Sequence, residues 1–128
     1  VRERVGQLKG RLIEAAKEVD GVKVIAQVLP MDVEAGAVKD LAFQVSGQLP
    51  ENTLLVLGSK HDDKPLLTVM VSKDLIASRQ LHAGNLVKEA ARLIQGGGGG
   101  APHFATAGGK NTAGLDEAVA KVLELAGF

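Results

Sequence analysis

Apolar positions along the chain follow two rhythms, one helical and one extended. In residues 1–20, Val5, Leu8, Leu12 and Ala16 recur at steps of three and four, with Val19 beyond them and charged residues between. That spacing predicts a helix with a narrow apolar face, weakened by Gly6 and Gly10. Asp20-Gly21 is read as its stop, glycine supplying the C-terminal cap. Residues 22–29 (VKVIAQVL) are rich in β-branched side chains and end at Pro30, which predicts a strand buried on both faces near its middle. Asp32 is placed to cap a second helix with Ala35 or Ala37, Val38, Leu41, Ala42 and Val45 inward, ended by Pro50. Residues 53–58 (TLLVLG) and 66–72 (LLTVMVS) are two more core strands. The polar, turn-rich link between them predicts an antiparallel hairpin.

Residues 81–94 carry the next helical pattern. Leu86, Val87, Ala90, Ala91, Leu93 and Ile94 point inward, and Asn85, Lys88, Glu89 and Arg92 form the wet stripe. A glycine-rich stretch follows, read as a loop, then a short strand at 104–107 and a last helix at 115–126 with Leu115, Ala118, Val119, Val122, Leu123 and Ala126 apolar. This order predicts an α/β fold, a small mixed β-sheet flanked by helices. Its first strand–helix–strand passage is expected to be a right-handed parallel crossover.

Composition narrows the function classes. A chain of 128 residues, 45% hydrophobic and 23% charged, reads as one soluble domain. It has no cysteine, which excludes disulfides, thiolate metal sites and cysteine nucleophiles. Fifteen basic and fifteen acidic residues cancel. The absence of any apolar run near ~18 residues, and of a signal peptide, points to a cytoplasmic home. A chain opening at Val1 reads as a piece of a longer protein. Aromatics are 2%, Phe43, Phe104 and Phe128 alone, which argues against base-stacking platforms.

Glycine is the loud signal: seven of the 16 glycines fall between Gly96 and Gly109. Such a run exposes its amides without Cβ obstruction, so it can cradle phosphates or admit a close backbone. It is not a P-loop, because Ala101 and Pro102 follow Gly100 in place of Lys and Ser or Thr. Nor is it a dinucleotide fingerprint, because a helix precedes it instead of a strand. A flexible linker is the alternative reading, but the residues that follow are patterned for packing.

Residues 96–111 resemble the glycine-rich signature of the C-terminal domain of bacterial alanyl-tRNA synthetases, the domain type called DHHA1. Gly96, Gly98, Gly99, Gly100, Pro102, Ala105, Ala107, Gly108 and Gly109 match in place, followed by Lys110-Asn111. Ala101 departs, standing where a basic residue is common in the family. The upstream element order is similar too, so the resemblance covers essentially the whole chain. It implies residues 21–128 as a globular DHHA1-like domain and residues 1–20 as the end of an N-terminal helical linker. It also implies a non-catalytic domain that docks on the elbow of tRNA, alanine-specific tRNA being expected, and links aminoacylation with editing. Dimerisation would lie mainly in helical segments upstream. ATP, magnesium and zinc would belong only to the rest of the parent enzyme.

Between Leu75 and Leu115 the charges are Arg79, Lys88, Arg92 and Lys110 against Glu89 alone, a local basic excess suited to phosphate contacts. The candidate RNA-binding residues are therefore Arg79, Lys88, Arg92, Gly96, Gly97, Gly98, Gly99, Gly100, His103, Lys110 and Asn111. No catalytic or metal-ligating residue is assigned. His61, His82 and His103 are far apart, and His61-Asp62-Asp63 reads as a hairpin turn. No serine has an adjacent histidine or a nucleophile-elbow context. Three other readings stand beside the leading one. The same domain type occurs as the substrate-binding part of a single-strand exonuclease or oligonucleotide phosphodiesterase, and in free-standing alanyl-tRNA editing proteins. A pure oligomerisation module leaves the glycines unexplained.

Overall fold

The computed structural model describes residues 16–19, 21–32, 35–48, 51–61 and 64–127, together with Gly10 and Glu14. In chain order the elements are β1 (Lys17–Val19), β2 (Val22–Asp32), α1 (Ala35–Gln48), β3 (Thr53–His61), β4 (Lys64–Val71), α2 (Lys73–Arg79), α3 (Ala83–Ala90), β5 (Gly97–Gly100), β6 (Phe104–Gly108) and α4 (Leu115–Ala126). A 3-10 turn, Ala91–Ile94, prolongs α3, and another, Thr112–Gly114, leads into α4. The strands form one mixed sheet in the order β1-β2-β3-β4-β6-β5. Among the described residues only β2 and β3 run parallel, joined through α1; β3 and β4 form the expected antiparallel hairpin.

Two cores sit on the two faces of the sheet. On one, α3 and α4 cover Val24, Leu54, Val56, Leu67, Val69, Ala105 and Ala107. On the other, Val38, Leu41, Ala42 and Val45 of α1 pack on Ile25, Leu55, Leu57 and Met70. The adjacent Val24 and Ile25 belong to opposite cores, so β2 is buried on both faces at its middle. Helix α1 lies over β3 and β4. Beyond β4, α1 reaches this face of β6 only through Phe43, which stacks on Phe104, and no helix among the described residues lies on this face of β5.

Several expectations give way. The helix expected over residues 1–20 does not reach its end: Lys17–Val19 is an edge strand paired with β2. Gly10 and Glu14 are helical, and the other positions of that segment before Ala16 lie outside the described residues. Val19 pairs with Val22, so β1 and β2 are joined by a two-residue connection in which Gly21 takes φ +81°. Aspartate-glycine is a hairpin signal as well as a helix stop, since both structures need a positive φ at the glycine. Helix α2 was not foreseen, and the long helix of residues 81–94 begins only at Ala83 and tightens into a 3-10 turn after Ala90. Strand β2 does not end at Pro30 but runs on to Asp32, which pairs with Lys60 in place of capping α1.

The largest correction concerns the glycines. Gly97–Gly100 is not a loop but a strand, paired antiparallel with β6 at the outer edge of the sheet. Glycine has low strand propensity because it loses the most backbone entropy. Here the partner supplies what propensity lacks, a complete ladder from Gly97↔Gly108 to Gly100↔Ala105.

Candidate nucleic-acid interface

The β5–β6 hairpin is tied down at both ends. At its tip, Ala101 N–H donates to the Phe104 carbonyl (3.0 Å), and Ala83 N–H, opening α3, donates to the Pro102 carbonyl (2.9 Å). At its base, Gly96 N–H donates to the Ala91 carbonyl (3.0 Å). The amides of Lys110 and Asn111 both donate to the Ile94 carbonyl, at 2.8 and 2.9 Å. The Asn111 side-chain amide donates to the Leu93 carbonyl at 3.3 Å. The carbonyls left open at a helix C-terminus are thus closed by the signature itself.

The register separates the glycines into two kinds. Side chains alternate between faces along a strand. A Cβ on Gly98 would meet the Thr106 carbonyl oxygen, with Ala107 Cα at 2.5 Å; one on Gly100 would meet the Phe104 oxygen at 2.7 Å and Ala105 Cα at 2.9 Å. One on Gly96 would collide with the backbone of Gly108 and Gly109. These even-numbered glycines let β5 approach β6 closely. Gly97 and Gly99 have nothing within 4 Å of a built Cβ, and neither has positive φ.

The Ala101–Phe104 bond also sets the ladder's alternation. Residues 97, 99 and 101 exchange bonds with 108, 106 and 104, so the N–H groups of Gly98 and Gly100 turn outward along the sheet edge. The edge therefore carries outward backbone donors on exposed glycines, with the Gly100 carbonyl lying against Gly84 of α3.

The candidate cations fall into distinct places. Lys88 and Arg92 stand exposed one turn apart on the outer stripe of α3 and its 3-10 extension. Arg92 Nη1 lies 3.7 Å from Glu89 Oε2, so part of its charge is already answered. Lys110 is exposed beside the same helix end, held there by its amide. Arg92, Gly96, Lys110 and Asn111 are thereby gathered at the base of the hairpin. His103 is exposed at the tip, on the order of 20 Å away along the strand, and its carbonyl accepts from Val71 N–H. Arg79 ends α2; its side chain lies outside the described residues.

Sequence reasoning missed the capping role of His82, whose Nδ1 accepts from Asn85 N–H at 3.2 Å and closes the first turn of α3. It also missed that Phe43 and Phe104 meet, with ring centroids 5.2 Å apart and planes 20° from parallel. Their spacing of 61 residues carries no periodic signal. Beside them Phe43, Met70, Ser72, Lys73 and His103 border a cleft of about 340 Å³. Among the described residues no three His, Asp or Glu side chains gather as metal ligands, and no helix is long and apolar enough to cross a membrane.

Comparison with known proteins places this geometry. The DHHA1 domain model matches residues 21–127. The chain is 56% identical over all 128 residues to the alanine–tRNA ligases of Bacteroides fragilis and Bacteroides thetaiotaomicron, of which it spans 14% of the length. It is 46% identical over 127 residues to that of Parabacteroides distasonis, again 14% of that protein. Among solved structures, the C-Ala domain of Aquifex aeolicus alanyl-tRNA synthetase superposes with a TM-score of 0.76 at 25% identity, covering 88% of this chain and 98% of that one. A DHH-domain protein described as a member of a family of ribosomal proteins superposes at 0.63 with 13% identity, covering 97% of this chain and 30% of that one. That second likeness concerns the fold alone.

Proposed function

The chain belongs to the DHHA1 domain family, and from that we propose that it is the C-terminal tRNA-binding domain of an alanine–tRNA ligase. In this reading it docks on the elbow of tRNA and thereby links aminoacylation with editing on one molecule. The observation that carries it is likeness along the whole chain to alanine–tRNA ligases, joined to the C-Ala fold. The geometry supports it. Lys88, Arg92 and Lys110 stand exposed near a strand edge with bare amide donors, and β4, β5 and β6 carry no acidic residue. Phosphates are neutralised by such cations and met by such amides. The near absence of aromatics suits a folded RNA recognised by its shape and backbone.

The chain itself carries no turnover in this reading: aminoacylation, editing and phosphodiester cleavage are expected to be absent from the purified 128-residue chain. ATP, magnesium and zinc are assigned to the rest of the parent ligase, and dimerisation mainly to segments upstream. The partner is tRNA, with alanine-specific tRNA the preferred one. The test is equilibrium binding of an alanine-accepting tRNA transcript across a salt titration. Affinity should fall steeply with salt and exceed that for an unstructured oligonucleotide of the same length. A flat salt response, or preference for the unstructured strand, would count against it.

A further inference from the structure

The open glycines are unexplained by the fold. Gly97 pairs with Gly108, and Gly99 with Thr106, which in turn faces Thr68 of β4. Directly opposed residues share a face, so Gly97, Gly99, Gly108 and Thr106 form one patch. It lies on the side of the sheet where, among the described residues, α1 lies over β3 and β4 and reaches β6 only where Phe43 stacks on Phe104. A Cβ on Gly97 or Gly99 would meet nothing within 4 Å, and one on Gly108 only the Pro65 oxygen at 3.9 Å. None of the three has the positive φ that demands glycine. Glycine inside a strand weakens it, and where packing does not require it, it marks close approach of another backbone or a ligand. Three such positions side by side make a floor of bare backbone. At one end, the stacked Phe104 and Phe43 rise beside it, Phe43 47% exposed with Lys39 Nζ 5.9 Å from its ring centroid. At the other end, exposed Lys64 shares the face of Leu66, which pairs with Gly108.

We propose that this floor is a second contact surface for RNA, on which a ribose–phosphate strand lies flat against Gly97, Gly99 and Gly108. The odd-numbered glycines serve the ligand, whereas the even-numbered Gly96, Gly98 and Gly100 serve the fold. Charge favours a polyanion as the occupant: residues 95–115 contain Lys110 and His103 and no carboxylate. A flat floor without side chains suits a sugar–phosphate backbone, and the Thr106 hydroxyl on that face is a partner for a 2′-hydroxyl. The inference rests on the proposed tRNA reading and names where on the domain the backbone runs.

The test compares the wild-type chain with Gly97→Val and Gly99→Val, using an alanine-accepting tRNA transcript and thermal melting. Both variants should melt at or above the wild-type temperature, because valine suits a strand and the space is open. Affinity should fall about tenfold or more, with the salt slope unchanged because no charge is removed. Wild-type affinity in well-folded variants would overturn the floor while leaving the tRNA reading intact. No tRNA binding by wild-type chain would overturn both. The absence of native cysteine provides a second measurement. A thiol-attached photocrosslinker on Gly99→Cys should mark the tRNA, and one on Ala120→Cys, exposed on α4 across the sheet, should not. Absence of the Gly99 crosslink would also overturn the proposal. So would self-association of the wild-type chain that is lost in Gly99→Val with tRNA affinity kept, since the occupant would then be a second copy.

Discussion

At the scale of single residues, glycine and aspartate show how one residue type serves different ends. Gly98 and Gly99 are neighbours in sequence, yet only Gly98 has a partner backbone where a Cβ would stand. Gly98→Ala should therefore destabilise the chain by about 1–3 kcal/mol, as overpacking does. Gly99→Ala should be neutral or slightly stabilising, by restricting the unfolded chain. Denaturant melts of the two variants check this, and equal destabilisation would contradict the assigned register. Asp74 is the other case. Its carboxylate accepts from Asn52 N–H at 2.9 and 3.2 Å, fixing a residue with φ 51° between α1 and β3. Partial burial pushes its carboxyl up, but hydrogen bonds from the Ser72 side chain and from the amides of Asn52, Asp74 and Leu75 outweigh that and hold it below the usual range. A lowered folded-state value stabilises above the unfolded value, and the gain is lost as pH falls through the folded one. Asp74→Asn should thus melt lower than wild type at neutral pH, by about 1 kcal/mol. The two should converge in acid; a gap independent of pH would contradict the assignment.

At the scale of elements, the exposed stripe of α3 and its 3-10 extension is the part of the site that periodicity identified. Asn85, Lys88, Glu89 and Arg92 are all exposed, while Leu86, Val87, Ala90, Ala91 and Ile94 are buried. Replacing Lys88, Arg92 or Lys110 by glutamine should lower the salt slope of tRNA binding by about one unit for each that meets a phosphate. Arg92 should contribute less than Lys88, because Glu89 lies within ion-pair distance of it. Salt titrations of the single variants measure both statements, and melting temperatures should stay within the small range expected of surface changes. Helix α2 eluded the pattern because seven residues give too few turns for a face to declare itself. Strand β5 eluded it because four glycines carry no alternation.

At the scale of the molecule, one sheet carries two unequal coverings. Among the described residues the α3–α4 layer reaches from β2 to the edge strand β5, whereas α1 lies over β3 and β4 and meets β6 only through Phe43. Strand β1 is the opposite edge: its three residues are exposed and, among the described residues, pair only with β2. Removing residues 1–19 should leave the remaining five strands and both cores in place. The shortened chain should fold cooperatively, melt somewhat lower, and bind tRNA with unchanged affinity, since β5 lies at the far side. Loss of cooperative melting would show that β1 is needed for the sheet, and loss of tRNA binding in a folded chain would place part of the interface there.

The sequence alone determined those features that depend on neighbours in the chain. Helices α1 and α4, the core strands and the β3–β4 hairpin were legible because their burial repeats at about 3.6 or 2 residues and their breaks carry turn residues. The glycine signature was legible as a block, and with it the family. Tertiary structure alone decided what that block is. Phe104, Thr106 and Gly108 of β6 and the end of α3 supply the ladder and capping bonds that turn a glycine run into an edge strand. The same pairing decides which glycines are spacers against a backbone and which open onto bare space. It also brings Phe43 onto Phe104, and Asp74 onto the amide of Asn52. These are contacts across the sheet, set by register and layer packing, and no local period in the chain encodes them.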